Sequence, residues 1–129
     1  FAIPDTASEL IQSSLELLRK NGVPSFLTVL KRFGARNKSY LSFPIPGWTL
    51  AMDIPSNTPG LNEVLNILDD KVTLAGGRIY LAKDARQSSI TFQRSYPRLK
   101  EWRKVQKGLD PDGIFNSDLA RRIGILQKY

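Results

Sequence analysis

The chain has 129 residues, a net charge of +7 and a hydrophobic fraction of 41%, which suits one globular domain. It contains neither cysteine nor histidine, which excludes disulfides, thiol chemistry, zinc sites and a Ser-His-Asp triad within it. No apolar run approaches the roughly 20 residues of a transmembrane helix. The positive charge favours an anionic partner, although a solvated basic surface is the commoner explanation. The absence of cysteine fits a cytoplasmic location, which we expect.

The first third of the chain predicts a helix followed by a strand. Thr6 and Glu9 have the spacing of a capping box, apolar residues follow at helical intervals, and Asn21 and Gly22 form a helix stop. Residues 24–33 alternate imperfectly between the two faces of a strand. This pattern indicates a strand that is largely covered on both sides.

Residues 40–48, with the sequence YLSFPIPGW, form an unusual segment. Two prolines and a glycine exclude a regular helix or a central strand, yet the segment is rich in large apolar side chains. A structured loop that lines a pocket and an arm that packs into the core fit these residues equally well.

The remaining pattern predicts a strand at 49–54, a helix that begins at Thr58 and Pro59 and ends at 76–77, and a strand at 78–82. Shorter helices follow around 83–92 and 99–105 and from 117 onward. This order predicts an α+β fold, a ferredoxin-like antiparallel sheet with helices packed mainly on one face. Because such a unit begins with a strand, the leading helix predicts that an upstream strand is missing.

Charged residues on predicted strands are the first candidates for a site. Lys83 directly follows the apolar strand and could present a fixed charge to a carbonyl, a phosphate or a reduced flavin. The commoner alternative is a surface lysine paired with Asp84. Lys31 could face the same site and bind an anionic substrate group, or simply be solvated. Asp53 lies between apolar neighbours and is predicted to be buried with an arginine partner.

The stretch 94–107 is rich in lysine and arginine, with Tyr96 and Trp102 interleaved, as in nucleic-acid-binding segments. Trp102, however, falls on one helical face with Leu99 and Val105, which predicts a core position. A stand-alone basic ferredoxin-like module that binds RNA or another polyanion is therefore the alternative hypothesis, and nucleic-acid binding is not the expected function.

Three stretches in this order resemble one family: 42–48 followed by Asp53, GGRIYLAKDAR at 76–86, and YPR at 96–98 with DP at 110–111 and SDLARR at 117–122. They are similar to the carboxyl-terminal part of FAD-linked oxidases of the vanillyl-alcohol oxidase superfamily. Within this superfamily they resemble the decaprenylphosphoryl-β-D-ribose oxidases and their aldonolactone and alditol oxidase relatives. The resemblance covers the chain from about Ser25 onward.

This resemblance implies positions for the site residues. Tyr80 and Lys83 match the family's Tyr-x-x-Lys, which would lie beside the flavin and the substrate, with Lys83 as a catalytic residue that stabilises negative charge on the reduced ring. Lys31 and Phe33 match substrate-pocket positions. Two further pocket positions, occupied in the family by asparagine and cysteine, are occupied here by Thr49 and Ala51.

The resemblance also implies a function for the parent protein, the oxidation of a sugar or polyol hydroxyl by hydride transfer to FAD. Residues 1–129 would form a single carboxyl-terminal fragment of the substrate domain, and its partner would be an amino-terminal FAD-binding domain of the same polypeptide. Alone, the fragment is expected to be inactive and to hold no FAD. We expect a docking surface around Phe43 and Trp48, through which a dimer could also form.

Overall fold

The computed structural model describes residues 1–126, which form an antiparallel sheet and a set of helices. The regular elements, in chain order, are β1 (Ala2–Pro4), α1 (Glu9–Lys20), β2 (Leu27–Phe33), β3 (Gly47–Asp53), α2 (Leu61–Leu74), α3 (Ser89–Ser95), α4 (Leu99–Leu109) and α5 (Asp118–Ile123). Two single 3-10 turns lie at Asp5–Ala7 and Leu81–Lys83. Within the described residues, no helix combines the length and the apolar character needed to cross a bilayer.

The strand order confirms the predicted α+β fold. The three strands lie in the order β1-β3-β2, and both neighbouring pairs are antiparallel. Arg78 adds an isolated bridge to Ala2 on the outer side of β1. The segment at Arg78 therefore occupies the position of a fourth strand beside β1, as in a ferredoxin-like βαββαβ unit.

Two hydrophobic clusters hold the fold together. The first joins α1 to α2 through Leu18, Val64 and Leu68, and Met52 of the sheet packs against it. The second lies among the carboxyl-terminal helices and is built from Phe92, Tyr96, Leu99 and Ile123. Leu41, Leu81 and Trp102 pack against this second cluster, so the predicted core position of Trp102 is confirmed.

Close packing against β1 depends on two glycines. A side chain at Gly47, whose φ is 149°, would collide with the carbonyl of Ile3. A Cβ at Gly77 would lie 2.6 Å from the carbonyl oxygen of Ala2. Ala2 and Ile3 are consequently completely buried, and three residues of strand are enough to link the sheet to the segment that follows α2.

Several local predictions about helix starts and strands are wrong. No side chain caps α1, and Thr6 lies instead in the preceding 3-10 turn. The hydroxyl of Thr58 donates to the carbonyl of Pro55 at 2.8 Å, and α2 begins only after Gly60. A strand does precede α1, as β1. Thr6 and Thr58 thus lie in tight turns before the helices, and their spacing in the sequence is the same as that of helix-capping residues.

The predicted strand at 78–82 is reduced to the single bridge at Arg78. This bridge is antiparallel to β1, and the chain enters the 3-10 turn at Leu81–Lys83 shortly after it. Asp53 is exposed at the end of β3, and the predicted burial with an arginine partner is wrong. β2 is the edge strand and is exposed or half-buried throughout, so it is not covered on both sides.

Candidate functional site

Four predicted site residues share one face of the sheet. Lys31 and Thr49 are direct partners in the register between β2 and β3, while Phe33 pairs with Gly47 and Ala51 with Val29. Since side chains alternate along a strand, these odd-numbered residues point to the face opposite Met52 and the α1–α2 cluster. Lys31 and Ala51 are exposed and Phe33 is half-buried. The strand register thus places the four predicted substrate residues on one face of the sheet, and helices α1 and α2 pack on the other face.

Thr49 is the one buried member of this group, and its hydroxyl is already engaged. The Oγ1 atom donates a hydrogen bond of 2.9 Å to the carbonyl of Phe1, which also accepts from the amide of Leu50. Because the hydroxyl proton is used, the oxygen can act only as an acceptor toward any further group. This differs from an asparagine amide, which offers both donors and an acceptor.

A run of aromatic rings connects the sheet face to the segment that carries Tyr80 and Lys83. Phe33 meets Phe43 edge to face, with ring centroids 5.7 Å apart, and Phe43 meets Tyr80 at 4.7 Å. Both separations are typical of favourable aromatic pairs. The structure thereby brings Phe33 and Tyr80, from distant parts of the chain, to either side of one phenylalanine.

The irregular segment 40–48 packs partly into the core, which confirms one of the two alternatives that its sequence left open. Leu41 and Ile45 pack inward, and Ser42 is buried. Phe43 lies between the two site-bearing segments. Trp48 is half-buried beneath the guanidinium of Arg32, which lies 4.9 Å from its ring centre. The expected docking surface around Phe43 and Trp48 is thus partly covered by the chain itself, and a dimer there stays a prediction.

Lys83 lies at the end of residues 80–83, which we call the 80–83 turn. Its side chain is exposed and makes no hydrogen bond or ion pair with any other residue in 1–126. Asp84, the alternative partner, is bound instead to Arg122 at 2.9 Å and to two backbone amides. The hypothesis of a Lys83–Asp84 surface pair is therefore wrong. Tyr80 is 43% exposed beside it.

Arg78 and Tyr96 hold the beginning of the 80–83 turn. Arg78 exchanges two backbone hydrogen bonds of 2.8 Å with Ala2, and its buried guanidinium donates to the carbonyl of Ser42. The hydroxyl of Tyr96 donates to the carbonyl of Ile79 at 2.8 Å. Burial raises the pKa of Tyr96 to about 12 despite the nearby positive charge of Arg78. Burial likewise lowers the pKa of Arg78.

Asp84 and Arg122 hold the end of the same turn. The carboxylate of Asp84 is 2% exposed and accepts from the amides of Arg86 and Gln87 at 3.0 and 2.7 Å. Arg122, on α5, binds that carboxylate and donates to the carbonyl of Gln87 at 2.7 Å. The backbone is thus fixed just before the turn and just after it, and the side chains of Tyr80 and Lys83, between these contacts, are exposed.

Sequence reasoning missed the residues that hold the turn. Arg78, Tyr96 and Arg122 carry no signal of their own, because each bonds to a segment far away in the chain. They do fall inside the three stretches that carried the family resemblance. A shared motif was therefore the only available pointer, and it gave no role for any of them.

The arginine side chains of the basic stretch 94–107 make contacts within the protein. Its arginines bind other groups of the chain: Arg94 binds Asp70, Arg98 binds Glu101, and Arg103 binds the carbonyls of Gly124 and Ile125. Trp102 packs against the second core cluster. Tyr96, the other aromatic residue of the stretch, is buried in the same cluster.

Lys83 and Tyr80 are both exposed in the 80–83 turn, and the ring contacts that Tyr80 and Phe33 make with Phe43 link this turn to the sheet face. The chain belongs to the D-arabinono-1,4-lactone oxidase family, whose model matches residues 52–123. This finding confirms the resemblance to the FAD-linked oxidases.

Two curated relatives extend the comparison. Decaprenylphosphoryl-β-D-ribose oxidase from Mycolicibacterium smegmatis is 44% identical over 126 residues, which make up 98% of this chain and 27% of that protein. L-gulono-1,4-lactone dehydrogenase from Mycobacterium tuberculosis is 28% identical over 132 aligned positions, covering 95% of this chain and 29% of the relative. The chain thus spans little more than a quarter of the length of either relative.

Proposed function

We propose that the chain supplies the substrate side of an FAD-dependent oxidoreductase that oxidises a sugar or polyol hydroxyl by hydride transfer to flavin. The family and the names of the two relatives support this class, since each name refers to a sugar or a sugar lactone. In this proposal, residues 1–129 belong to the substrate domain, and an FAD-binding domain of the same polypeptide is the partner.

The unpaired ammonium of Lys83 is the observation that carries the proposal. It is exposed in the same turn as Tyr80, which is 43% exposed, and it has no acidic partner among residues 1–126. A cation with a neighbouring aromatic face suits a flat ring system that gains negative charge when it is reduced. The flavin would supply the hydride acceptor. Tyr80 would pack beside it, and Lys83 would stabilise the charge that develops.

The sheet face would hold the substrate. Lys31 offers a donor or a positive charge to an oxygen-rich ligand, and Phe33 offers an apolar surface beside it. Thr49 would accept a hydrogen bond from a substrate hydroxyl, because its own proton is given to Phe1. Ala51 is exposed and small, so it leaves room on this face. Hydroxyl-rich compounds therefore suit these four residues as a class.

The proposal includes the inactivity of the isolated chain. Hydride transfer needs the donor carbon and the flavin held within reacting distance, and the sheet face supplies only the substrate half of that arrangement. Binding of the substrate alone would not promote the reaction.

The test is Lys83→Met in the complete polypeptide. We expect anaerobic flavin reduction by a polyol substrate to slow by about 100-fold, because the charge on the reduced ring loses its stabilising partner. Flavin content should stay unchanged, since the turn is held by Arg78, Tyr96 and Asp84 rather than by Lys83. Stopped-flow absorbance of the flavin measures the rate.

Two lysine variants serve as controls for this experiment. Lys31→Met should raise the substrate concentration needed for half-maximal reduction and leave the limiting rate nearly unchanged, because Lys31 is on the sheet face. Lys20→Met, at the exposed end of α1, should change neither. Wild-type reduction rates in Lys83→Met, or a polypeptide that binds no flavin at all, would refute the proposal.

A further inference from the structure

Two ion pairs involve the residues that directly follow Lys83. Arg122 binds Asp84 with a nitrogen-to-oxygen distance of 2.9 Å, and Arg86 binds Asp69 of α2 at 2.7 Å. Both carboxylates are largely buried, with 2% and 13% of their side chains exposed. Each carboxylate is matched by one arginine, so neither of them neutralises Lys83.

The two ion pairs are close enough to affect each other. Burial raises the pKa of Asp69, Arg86 opposes this rise, and the charge of Asp84 adds to it. Asp84 therefore lies in a region that already contains a second carboxylate, where an unpaired charge would be strongly unfavourable. Arg122 and the amides of Arg86 and Gln87 compensate its charge there.

A firmly packed helix brings Arg122 to Asp84. The next residue of α5, Ile123, is 1% exposed and belongs to the second core cluster. Arg103 donates to two carbonyls at the end of the helix, at 2.6 and 2.7 Å. The guanidinium of Arg122 is thus presented from a fixed backbone, independently of the turn that it contacts.

Lys83 would be the natural partner of Asp84 if Arg122 were absent. The two residues are neighbours in the chain, and the ammonium ends a flexible four-carbon side chain. Within residues 1–126, Lys83 makes no hydrogen bond or ion pair with another residue. A carboxylate that loses its arginine would turn outward to this ammonium, because burial without a partner is costly. The resulting pair would cancel the charge of Lys83.

We propose that Arg122 is a positioning residue: by binding Asp84, it keeps Lys83 unpaired and available to the charge that develops on the flavin. This inference rests on the proposed function, and it explains how a lysine with an acidic neighbour remains an unpaired cation. Arg122 acts through Lys83 and touches neither the flavin nor the substrate. A purely structural support would not depend on the charge of Asp84.

The midpoint potential of the flavin in the complete polypeptide tests this role, because it reports the charge beside the ring without any substrate. An anaerobic titration against a reference dye measures the potential. We expect Arg122→Met to make the flavin about tenfold harder to reduce, a shift of about 30 mV toward negative potential. Adding Asp84→Asn to Arg122→Met should restore the potential, since a neutral amide no longer attracts Lys83 and its oxygen still accepts from the backbone amides.

Arg121→Met is the matched control. It removes the same charge from the neighbouring position of α5, but Arg121 binds Asp118 on the surface, so the potential should not change. Arg122→Lys keeps a cation against Asp84 and should also retain the wild-type potential. If Arg122→Met does not fold, Arg122→Gln gives the same measurement, because it keeps a donor for the carbonyl of Gln87.

Three results would overturn the role of Arg122. The first is equal potentials in Arg122→Met and Arg121→Met. The second is a shift that Asp84→Asn does not reverse. The third concerns the double variant Lys83→Met/Arg122→Met, whose potential should equal that of Lys83→Met alone; a further shift would mean that Arg122 does not act through Lys83.

The two proposals fail in different ways. If Lys83→Met leaves both the potential and the rate of flavin reduction at the wild-type values, the proposed role of Lys83 falls. If Lys83→Met lowers the potential and slows reduction but Arg122→Met alters neither, the proposed function stands and the role of Arg122 falls.

Discussion

The two parts of the candidate site are built by different kinds of bond. The sheet face is set by the backbone ladder between β2 and β3, which pairs seven residues of each strand in one continuous register. The 80–83 turn lies outside the sheet, and one bridge at Arg78 connects the chain before it to β1. Its position is set by side-chain hydrogen bonds that Arg78, Tyr96 and Arg122 make to residues far away in the chain. We therefore expect side-chain substitutions on the sheet face to disturb the structure less than substitutions of the residues that hold the 80–83 turn.

The two kinds of bond predict different effects of mutation at the sheet face and at the 80–83 turn. On the sheet face, a side chain can change without altering the backbone that presents it, because the ladder hydrogen bonds involve only main-chain atoms. Ala51, which is exposed, stands at such a position, whereas the buried hydroxyl of Thr49 also holds the carbonyl of Phe1. At the 80–83 turn, by contrast, side chains replace the missing ladder, so their loss should release the backbone around Tyr80 and Lys83.

The largest effect is expected for Arg78→Met. This change removes the donor to the buried carbonyl of Ser42 and the cation that lies 5.7 Å from the ring of Tyr96. We expect the free energy of unfolding to fall by about 3 kcal/mol, since an orphaned buried carbonyl and lost packing add together. Chemical denaturation followed by tryptophan fluorescence measures the change.

Hydrogen exchange in the Arg78→Met variant tests the comparison directly. Amides of residues 79–87 should exchange faster, and those of β2 and β3 should keep their protection relative to global unfolding. Uniform acceleration across both regions would show that the turn is not held separately from the sheet.

A smaller effect is expected for Tyr96→Phe. Loss of the hydrogen bond to Ile79 should cost about 1 kcal/mol at pH 7. Burial raises the pKa of Tyr96 to about 12 in the folded chain, above the unfolded value of about 10. The stabilisation from the protonated hydroxyl is therefore complete below about pH 10 and is lost as the pH rises toward 12, by about 2 kcal/mol.

The pH dependence distinguishes Tyr96 from other groups that titrate at high pH. The variant lacks the phenol, so the wild-type advantage of about 1 kcal/mol at pH 7 should fall as the pH rises above about 10 and should change sign by about pH 12. A difference that stays constant from pH 9 to pH 12 would show that the hydroxyl of Tyr96 is not protected by the fold.

The smallest effect is expected for Ala51→Ser. Ala51 is exposed on the sheet face and its backbone is paired with Val29, so the free energy of unfolding should change by less than about 0.5 kcal/mol. Thermal unfolding by circular dichroism is a sufficient measurement. A loss above about 1 kcal/mol would mean that side chains, and not the ladder alone, fix this face.

The same distinction explains which features the sequence could predict. β2, β3, α2 and α4 carry their own periodic patterns, so their existence follows from local residues. The sharing of one sheet face by Lys31, Phe33, Thr49 and Ala51 follows from the alternation of side chains along the strands, once the pairing of β2 with β3 is known. The strand expected at 78–82 is reduced to one bridge at Arg78, because the chain enters a 3-10 turn at Leu81–Lys83, which the apolar alternation of these residues does not predict.

The side-chain contacts of the turn lay further beyond prediction. Pro97 disfavours a helical conformation at Tyr96, and α3 ends at Ser95 in the structure. The hydrogen bond from Tyr96 to Ile79 is a different matter, because it requires the positions of two segments in space. Likewise, Asp84 was expected to pair with its sequence neighbour, but the buried carboxylate is bound by an arginine from α5.

The short strand β1 has a consequence for the order of folding. The carbonyl of Leu50 accepts from the first residue, a separation of 49 positions, and Arg78 lies farther still along the chain from its partner Ala2. Contacts between residues so far apart form late, because a long loop must close before they gain any energy. The hairpin of β2 and β3 can assemble earlier from nearer residues. The pairing of β2 with β3 therefore costs less loop-closure entropy than the pairing of β1 with the segment at Arg78.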